Sequence, residues 1–299
     1  MLDLDAPCVD LRSLDEVWFQ VAGTLCNLSC NHCFISCNPG NHSFGFLDLA
    51  KIRPFLAESV KLGVKEYYFT GGEPFLNREI VPILEETLRL GPATVLTNGT
   101  VFRGRLVNEL RRIAEGSQYS LEIRVSIDGP DKETNDPIRG EGSFEDAMRG
   151  VQQLAQSGFL PIITMVQTWA DSDTLKVLDQ FGAELKRRGC VRPRFKILPT
   201  LRIGMEATRT RGYLSEERIT REMLEGYDTS QLICSHSRIV TDQGVAICPI
   251  LIESPVAHMG STLEETLRPF AVDQPACYTC YLFGSICTNT GAALSGRDC

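Results

Sequence analysis

A chain of 299 residues, 43% apolar and 23% charged, has an ordinary globular composition and length for one barrel-sized domain with an appendage. Its formal net charge of −8 argues against a nucleic-acid partner, whose phosphates want clustered Lys and Arg. No run is apolar enough to span a bilayer, and the acidic stretch Met1–Trp18 lacks an export signal, so no membrane partner and a cytoplasmic location are expected.

The predicted elements alternate along the chain. Strands are expected at 17–23, 66–70, 93–98, 120–128, 161–168 and 194–198, with helices at 47–62, 77–90, 104–115, 143–157 and 172–188. Ser143, followed by Glu145 and Asp146, reads as the N-cap of the fourth helix. Six strands alternating with five helices predict an α/β fold, a parallel sheet with right-handed crossovers forming a partial (β/α)6 TIM-type barrel over residues 1–200. Ligands of such barrels sit on the loops at the C-terminal strand ends. The cysteine run from Cys26, Gly71–Pro74, Asn98–Gly99 and Asp128–Gly129 each follow a predicted strand, so they should meet on one rim. Residues 201–299 read instead as a small cysteine-rich α+β unit. It would hold a hairpin turning at Asp242–Gln243–Gly244 and a Cys-, Gly- and Thr-rich tail that a metal would organise.

Twelve cysteines in a reducing compartment are better explained by metal or redox chemistry than by disulfides. Cys26, Cys30, Cys33 and Cys37 form one group; Cys234, Cys248, Cys277, Cys280, Cys287 and Cys299 form another. Cys8 and Cys190 stand apart and read as packing residues. The spacing C-x3-C-x2-C of Cys26, Cys30 and Cys33, with His32 and Phe34 beside the third, suits three irons of a [4Fe–4S] cluster with one iron left open. A zinc site is the alternative at this spacing. A fourth thiolate would close the open iron, so Cys37 reads as a neighbouring structural thiol.

With these residues the chain resembles the radical SAM superfamily, whose signature is C-x3-C-x-aromatic-C. "TGGEP" (Thr70–Pro74), "LTNG" (Leu96–Gly99), "VSIDGP" (Val125–Pro130) and the segment from Asn135 to Leu154 match the family's strand-end motifs in order, over about residues 17–200. Asn135 stands where His is usual. The resemblance implies that Cys26, Cys30 and Cys33 hold a [4Fe–4S] cluster whose open iron S-adenosylmethionine (SAM) chelates. The cluster, reduced by a one-electron donor such as flavodoxin or ferredoxin, would cleave SAM to methionine and a 5′-deoxyadenosyl radical. The resemblance also implies a SAM-binding set of Gly71, Gly72, Glu73, Pro74, Asn98, Ser126, Asp128 and Arg139. In it the glycines admit the methionine end, Glu73 receives the amino group, and Arg139 with Ser126 holds the carboxylate.

Cys277-x2-Cys280-x6-Cys287 resembles the core of SPASM and twitch domains, which implies one auxiliary [4Fe–4S] cluster; a zinc knuckle is the alternative. Cys248 follows Gly244 one residue sooner than the family's G-x4-C spacing. On a strand that shift flips the side chain, so Cys248 is expected to face substrate as a catalytic hydrogen donor. Cys234, Cys277, Cys280 and Cys287 would then be the ligands. The competing set is Cys234, Cys248, Cys277 and Cys280, with Cys287 spare. A thiol beside the radical would quench it from the opposite face and make the enzyme an epimerase (an isomerase). Without one, the auxiliary cluster would take an electron from the substrate radical, and the enzyme would dehydrogenate an alcohol. The chain's compact length and cysteine motif resemble neomycin-type epimerases of antibiotic biosynthesis, and so suggest an aminoglycoside or other small sugar-like substrate. Peptide (RiPP) maturation is the further reading, although a first strand near residue 17 is expected to leave no room for an N-terminal peptide-recognition domain.

Overall fold

The computed structural model describes residues 6–287. Cys299 lies outside them. Strands β1 (Glu16–Gln20), β2 (Glu66–Thr70), β3 (Ala93–Thr97), β4 (Leu121–Ser126), β5 (Ile162–Val166) and β6 (Arg194–Leu198) pair in parallel in chain order. Helices α1 (Leu49–Leu62), α2 (Ile80–Thr87), α3 (Gly104–Glu115), α4 (Lys132–Arg139), α5 (Ser143–Gln156) and α6 (Thr174–Arg187) lie in the crossovers. This is the expected partial TIM-type barrel, with α4 in addition over a segment where the sequence pattern predicts no helix.

Alternation along the strands builds two cores. Val17, Phe19, Tyr67, Phe69, Val95, Ile123, Val125, Ile163 and Met165 pack outward against the helices. Trp18, Tyr68, Leu96, Leu198 and the C-terminal segment, including helix α7 (Pro275–Phe283), form the second core inside the barrel. Trp18 stacks on Tyr68 with ring centroids 4.3 Å apart, and the Arg124 guanidinium lies 5.6 Å from the Tyr68 centroid.

Helix α5 begins where expected but is capped from elsewhere. The Asp136 carboxylate, near the end of α4, accepts the N–H groups of Gly142 and Phe144 at 2.8 Å each, and Ser143 Oγ donates to it at 3.1 Å. A side chain from the preceding helix thus satisfies the orphan donors that Ser143 was expected to serve.

The predicted hairpin forms as β7 (Ser237–Thr241) and β8 (Gly244–Ala246). It does not build a sheet of its own. β7 lies parallel to β1, with Val17 opposite Arg238, and β9 (His258–Gly260) pairs antiparallel with β8. The result is one nine-stranded sheet in the order β9-β8-β7-β1-β2-β3-β4-β5-β6. Pairing with β7 satisfies an edge of β1 that would otherwise present unpaired N–H and C=O groups. The fully buried Arg238 ties this region together, donating to the carbonyls of Cys234 and Ser237 at 2.7 Å and of Thr266 at 2.9 Å. Among the described residues no helix is long and apolar enough to cross a membrane.

Candidate active site

The loop after β1 carries Cys26, Cys30 and Cys33 and is docked from two sides. On the first side Gly72 N donates to Gly23 O at 2.8 Å and Glu73 N to Leu25 O at 3.0 Å. A Cβ on Gly72 would fall 1.9 Å from Leu25 O, and one on Gly71, at φ +146°, would fall 2.9 Å from Ala22 N. The glycines therefore admit the close approach of the cysteine loop itself. Pro74, buried, begins a single 3-10 turn.

The Glu73 carboxylate is fully buried and accepts from Thr97 Oγ1 at 2.7 Å, Asn98 N at 2.8 Å and Phe75 N at 3.1 Å. Burial pushes it up to about 7 despite these bonds. Asn98 continues the chain of contacts: its Nδ2 donates to Asn27 Oδ1 at 2.9 Å and lies 3.7 Å from Cys26 Sγ.

On the second side, α4 ends against the loop. Asn31 N donates to Ile138 O at 2.9 Å, Asn31 Nδ2 to Pro137 O at 2.8 Å, and Cys30 Sγ lies 3.9 Å from Arg139 O. These are the orphan carbonyls of a helix C-terminus, answered by the cysteine loop. Asp128, just after β4, is the hub. Its carboxylate bonds His32 Nε2 at 2.7 Å and Val166 N at 2.7 Å, and Arg139 Nε lies 2.6 Å away. Burial alone would raise its pKa, but the Arg139 charge and the His32 bond hold it well below the usual carboxylate range. Asp128 N donates to Asn135 Oδ1 at 3.0 Å, so Asn135 shapes this turn. Arg139 is thus paired with Asp128, its Nη1 4.0 Å from Cys30 Sγ, while Ser126 sits half-buried at the end of β4.

Within the loop, Cys37 acts on Cys33. Its N–H donates to Cys33 Sγ at 3.3 Å, and the neighbouring Cys37 thiol leads in lowering Cys33 to about 6. Burial pushes Cys26 up to about 12 and also raises Cys30. Leu28 N donates to Cys26 Sγ at 3.5 Å. Three thiols on one loop, two of them receiving backbone N–H bonds, form a donor set that fits an iron–sulfur cluster.

Beside this loop a cavity of about 80 Å³ reaches into the barrel, bounded by Trp18, His32, Thr70, Arg124, Thr164 and Cys287 among others. His32 Nδ1 and Thr164 Oγ1 are buried with no hydrogen-bond partner in the structure, and both residues line this cavity. A polar ligand would satisfy such atoms. Deeper in the barrel, burial lowers Lys196 to about 8 and raises Glu16 from 4.5 to about 7. The Glu16 shift has a testable sign. A carboxyl raised in the folded state favours folding below its unfolded pKa, and that advantage is lost as pH rises through about 7. Glu16→Gln should therefore match the parent at pH 4 and exceed it at pH 8 by up to about 3 kcal/mol. Urea unfolding at the two pH values measures this, and equal differences at both would refute the assignment.

The C-terminal cysteines line a second cavity, where Cys234, Cys248, Cys277 and Cys280 stand among apolar residues such as Ile233, Leu251 and Val272. Burial raises Cys248 to about 11 and Cys234 to about 12, and puts Cys277 and Cys280 well above the ordinary thiol value. Neighbouring thiols add to this: Cys248 raises Cys234, Cys248 and Cys234 raise Cys277, and Cys287 leads Cys248, Cys277 and Cys234 in raising Cys280. Cys287 instead lines the barrel cavity, its carbonyl accepting from Arg124 Nη1 at 2.8 Å. Cys248 therefore lines the cavity of the C-terminal cysteines, and Cys287 the barrel cavity. The reason is local: β8 ends at Ala246, so strand alternation does not reach residue 248. Among the described residues no three His, Cys, Asp or Glu side chains are grouped as ligands of a single metal ion.

Residues 21–181 match the sequence family described as the Radical SAM superfamily. The chain is 32% identical over 135 residues to the AdoMet-dependent heme synthase of Oleidesulfovibrio alaskensis, covering 44% of this chain and 33% of that protein. It is 30% identical over 166 residues to the mycofactocin maturase MftC of Mycobacterium tuberculosis, covering 55% and 40%. The matched region spans less than half the length of either relative. The fold is similar to that of native anSMEcpe with bound AdoMet and Cp18Cys peptide, with a TM-score of 0.59, 17% identity and coverage of 84% and 79%.

Proposed function

Because the chain belongs to the radical SAM superfamily, whose members use SAM with a [4Fe–4S] cluster, we propose that it epimerises a carbon of a small polar substrate, aminoglycoside or sugar-like in class. One observation carries this reading: a cysteine residue lines the barrel cavity together with residues whose buried polar atoms have no partner, while four other cysteines line the neighbouring cavity. Four thiolates suffice for an auxiliary [4Fe–4S] cluster, which leaves a fifth cysteine for hydrogen donation. The net charge of −8 suits a polycationic substrate.

Cys26, Cys30 and Cys33 would hold the SAM-binding cluster, and the C-terminal cysteines the auxiliary one. When bound, SAM and its cluster supply the 5′-deoxyadenosyl radical that takes a hydrogen atom from the substrate. The chain's own residues do the rest. His32, Thr164 and Arg124 offer polar contacts that would orient the substrate, and the apolar inner core around Trp18 and Tyr68 excludes water. A cysteine S–H then breaks as the new C–H bond forms on the opposite face. The thiyl left behind regains its thiol by taking one electron from a flavodoxin- or ferredoxin-type reductant and one proton.

The maturase relative and the peptide-bound neighbour favour a peptide substrate as the second reading. The enclosed cavity favours a small one. The test is turnover of a panel of aminoglycosides in D2O with SAM and dithionite. Epimerisation places one deuterium on the inverted carbon with no change in oxidation state. A product two hydrogens lighter would establish a dehydrogenase instead, and turnover confined to peptides would establish a maturase.

A further inference from the structure

Resting on the epimerase reading, we infer that Cys287 is the hydrogen-donating thiol and that Cys248 completes the auxiliary ligand set with Cys234, Cys277 and Cys280. Three observations lead there. First, the cavity between the two cores is lined by Cys234, Cys248, Cys277 and Cys280 together, and Cys287 is not among its walls. Second, Cys248 is only 5% exposed and stands with those three cysteines among apolar residues, a dry setting that suits a thiolate held to iron. Third, Cys287 lines the barrel cavity that also holds His32 and Thr164, whose Nδ1 and Oγ1 have no partner, and Arg124 fixes its backbone at 2.8 Å. His32 and Thr164 are 9% and 6% exposed, so they are buried polar groups that a ligand would satisfy, and Cys287 lines the same space.

The arrangement also closes the cycle. Hydrogen transfer breaks the Cys287 S–H bond, forms the substrate C–H bond and leaves a thiyl radical. One electron and one proton restore the thiol, the electron coming from the external one-electron reductant. Cys287 lies close enough to Cys248 and Cys280 to feel their charge, so the thiyl would form beside the auxiliary ligands.

The test begins with anaerobically reconstituted full-length protein treated with iodoacetamide and mapped by mass spectrometry. Cys287 should be alkylated, with Cys234, Cys248, Cys277 and Cys280 protected. Iron should fall from about eight per chain to about four in Cys248→Ala and stay near eight in Cys287→Ala. With SAM, dithionite and the aminoglycoside panel, Cys287→Ala should still release 5′-deoxyadenosine while deuterium incorporation drops to background. Alkylation of Cys248 with protection of Cys287, or iron loss in Cys287→Ala, overturns the assignment. The wild-type labelling decides even if Cys248→Ala fails to fold. If Cys287 is labelled but no aminoglycoside takes up deuterium, the donor role falls with the epimerase reading, while the ligand assignment stands.

Discussion

Cys30→Ala protein should fold, carry about half the wild-type iron and form 5′-deoxyadenosine at no more than the background rate. Cys30 is half-buried, and its sulfur makes only long contacts, 3.9 Å to Arg139 O and 4.0 Å to Arg139 Nη1, so little packing is lost with it. What is lost is one of three thiolates on a loop that offers no slack: Cys26 is pinned near Asn98, and Cys33 is bonded by Cys37. Cys37 is a poor substitute, because its bond to Cys33 and its burial drive its own pKa far up. Iron analysis, thermal melting and quantification of 5′-deoxyadenosine separate these effects. Wild-type 5′-deoxyadenosine formation in this variant would remove Cys30 from the cluster.

Asp128→Ala should cost about 3–5 kcal/mol, because it leaves a buried Arg139 cation and a buried His32 without their common partner. For a chain of 299 residues that is a fall of about 5–8 °C in melting temperature. Iron loading at the three-cysteine site should fall as well, since His32 lies between Cys30 and Cys33 and anchors that loop to the end of β4. Asp128→Asn keeps an acceptor for Val166 N at 2.7 Å and should lose less. The carboxyl's depressed pKa gives the pH signature: its contribution is present above the unfolded carboxylate pKa and lost as pH falls through the folded value. The alanine variant should therefore approach wild type at strongly acidic pH. A melt unchanged at pH 7 would refute the hub.

The barrel was legible because its signals are local. Strands 66–70 and 194–198 have the expected bounds, since apolar β-branched and aromatic runs bounded by Gly, Pro and charged residues need no distant partner to declare themselves. The rim segments were legible because each follows a strand. What stayed hidden depends on contacts far apart in sequence. Nothing in Ser237–Thr241 encodes pairing with Glu16–Gln20, so β7 read as half of a local hairpin. The Asp128–Arg139 pair is eleven residues apart by number but joined only once α4 turns back on β4. Asp136 could have been read as the cap of α5, because it precedes Gly140 and Gly142 in a tight turn. The side Cys248 takes is not legible from alternation, because the strand ends at Ala246, two residues before it.

The pairing of β7 with β1 makes the two flanks of the barrel unequal. On that flank, parting the strands would sacrifice a row of backbone hydrogen bonds along Glu16–Phe19 and would also pull at Arg238. On the opposite flank β6 ends the sheet, its residues exposed or half-buried, and the loop after it, Pro199–Leu201, walls the barrel cavity. The barrel is thus flanked on one side by further paired strands and ends on the other at β6, whose following loop forms part of the cavity wall.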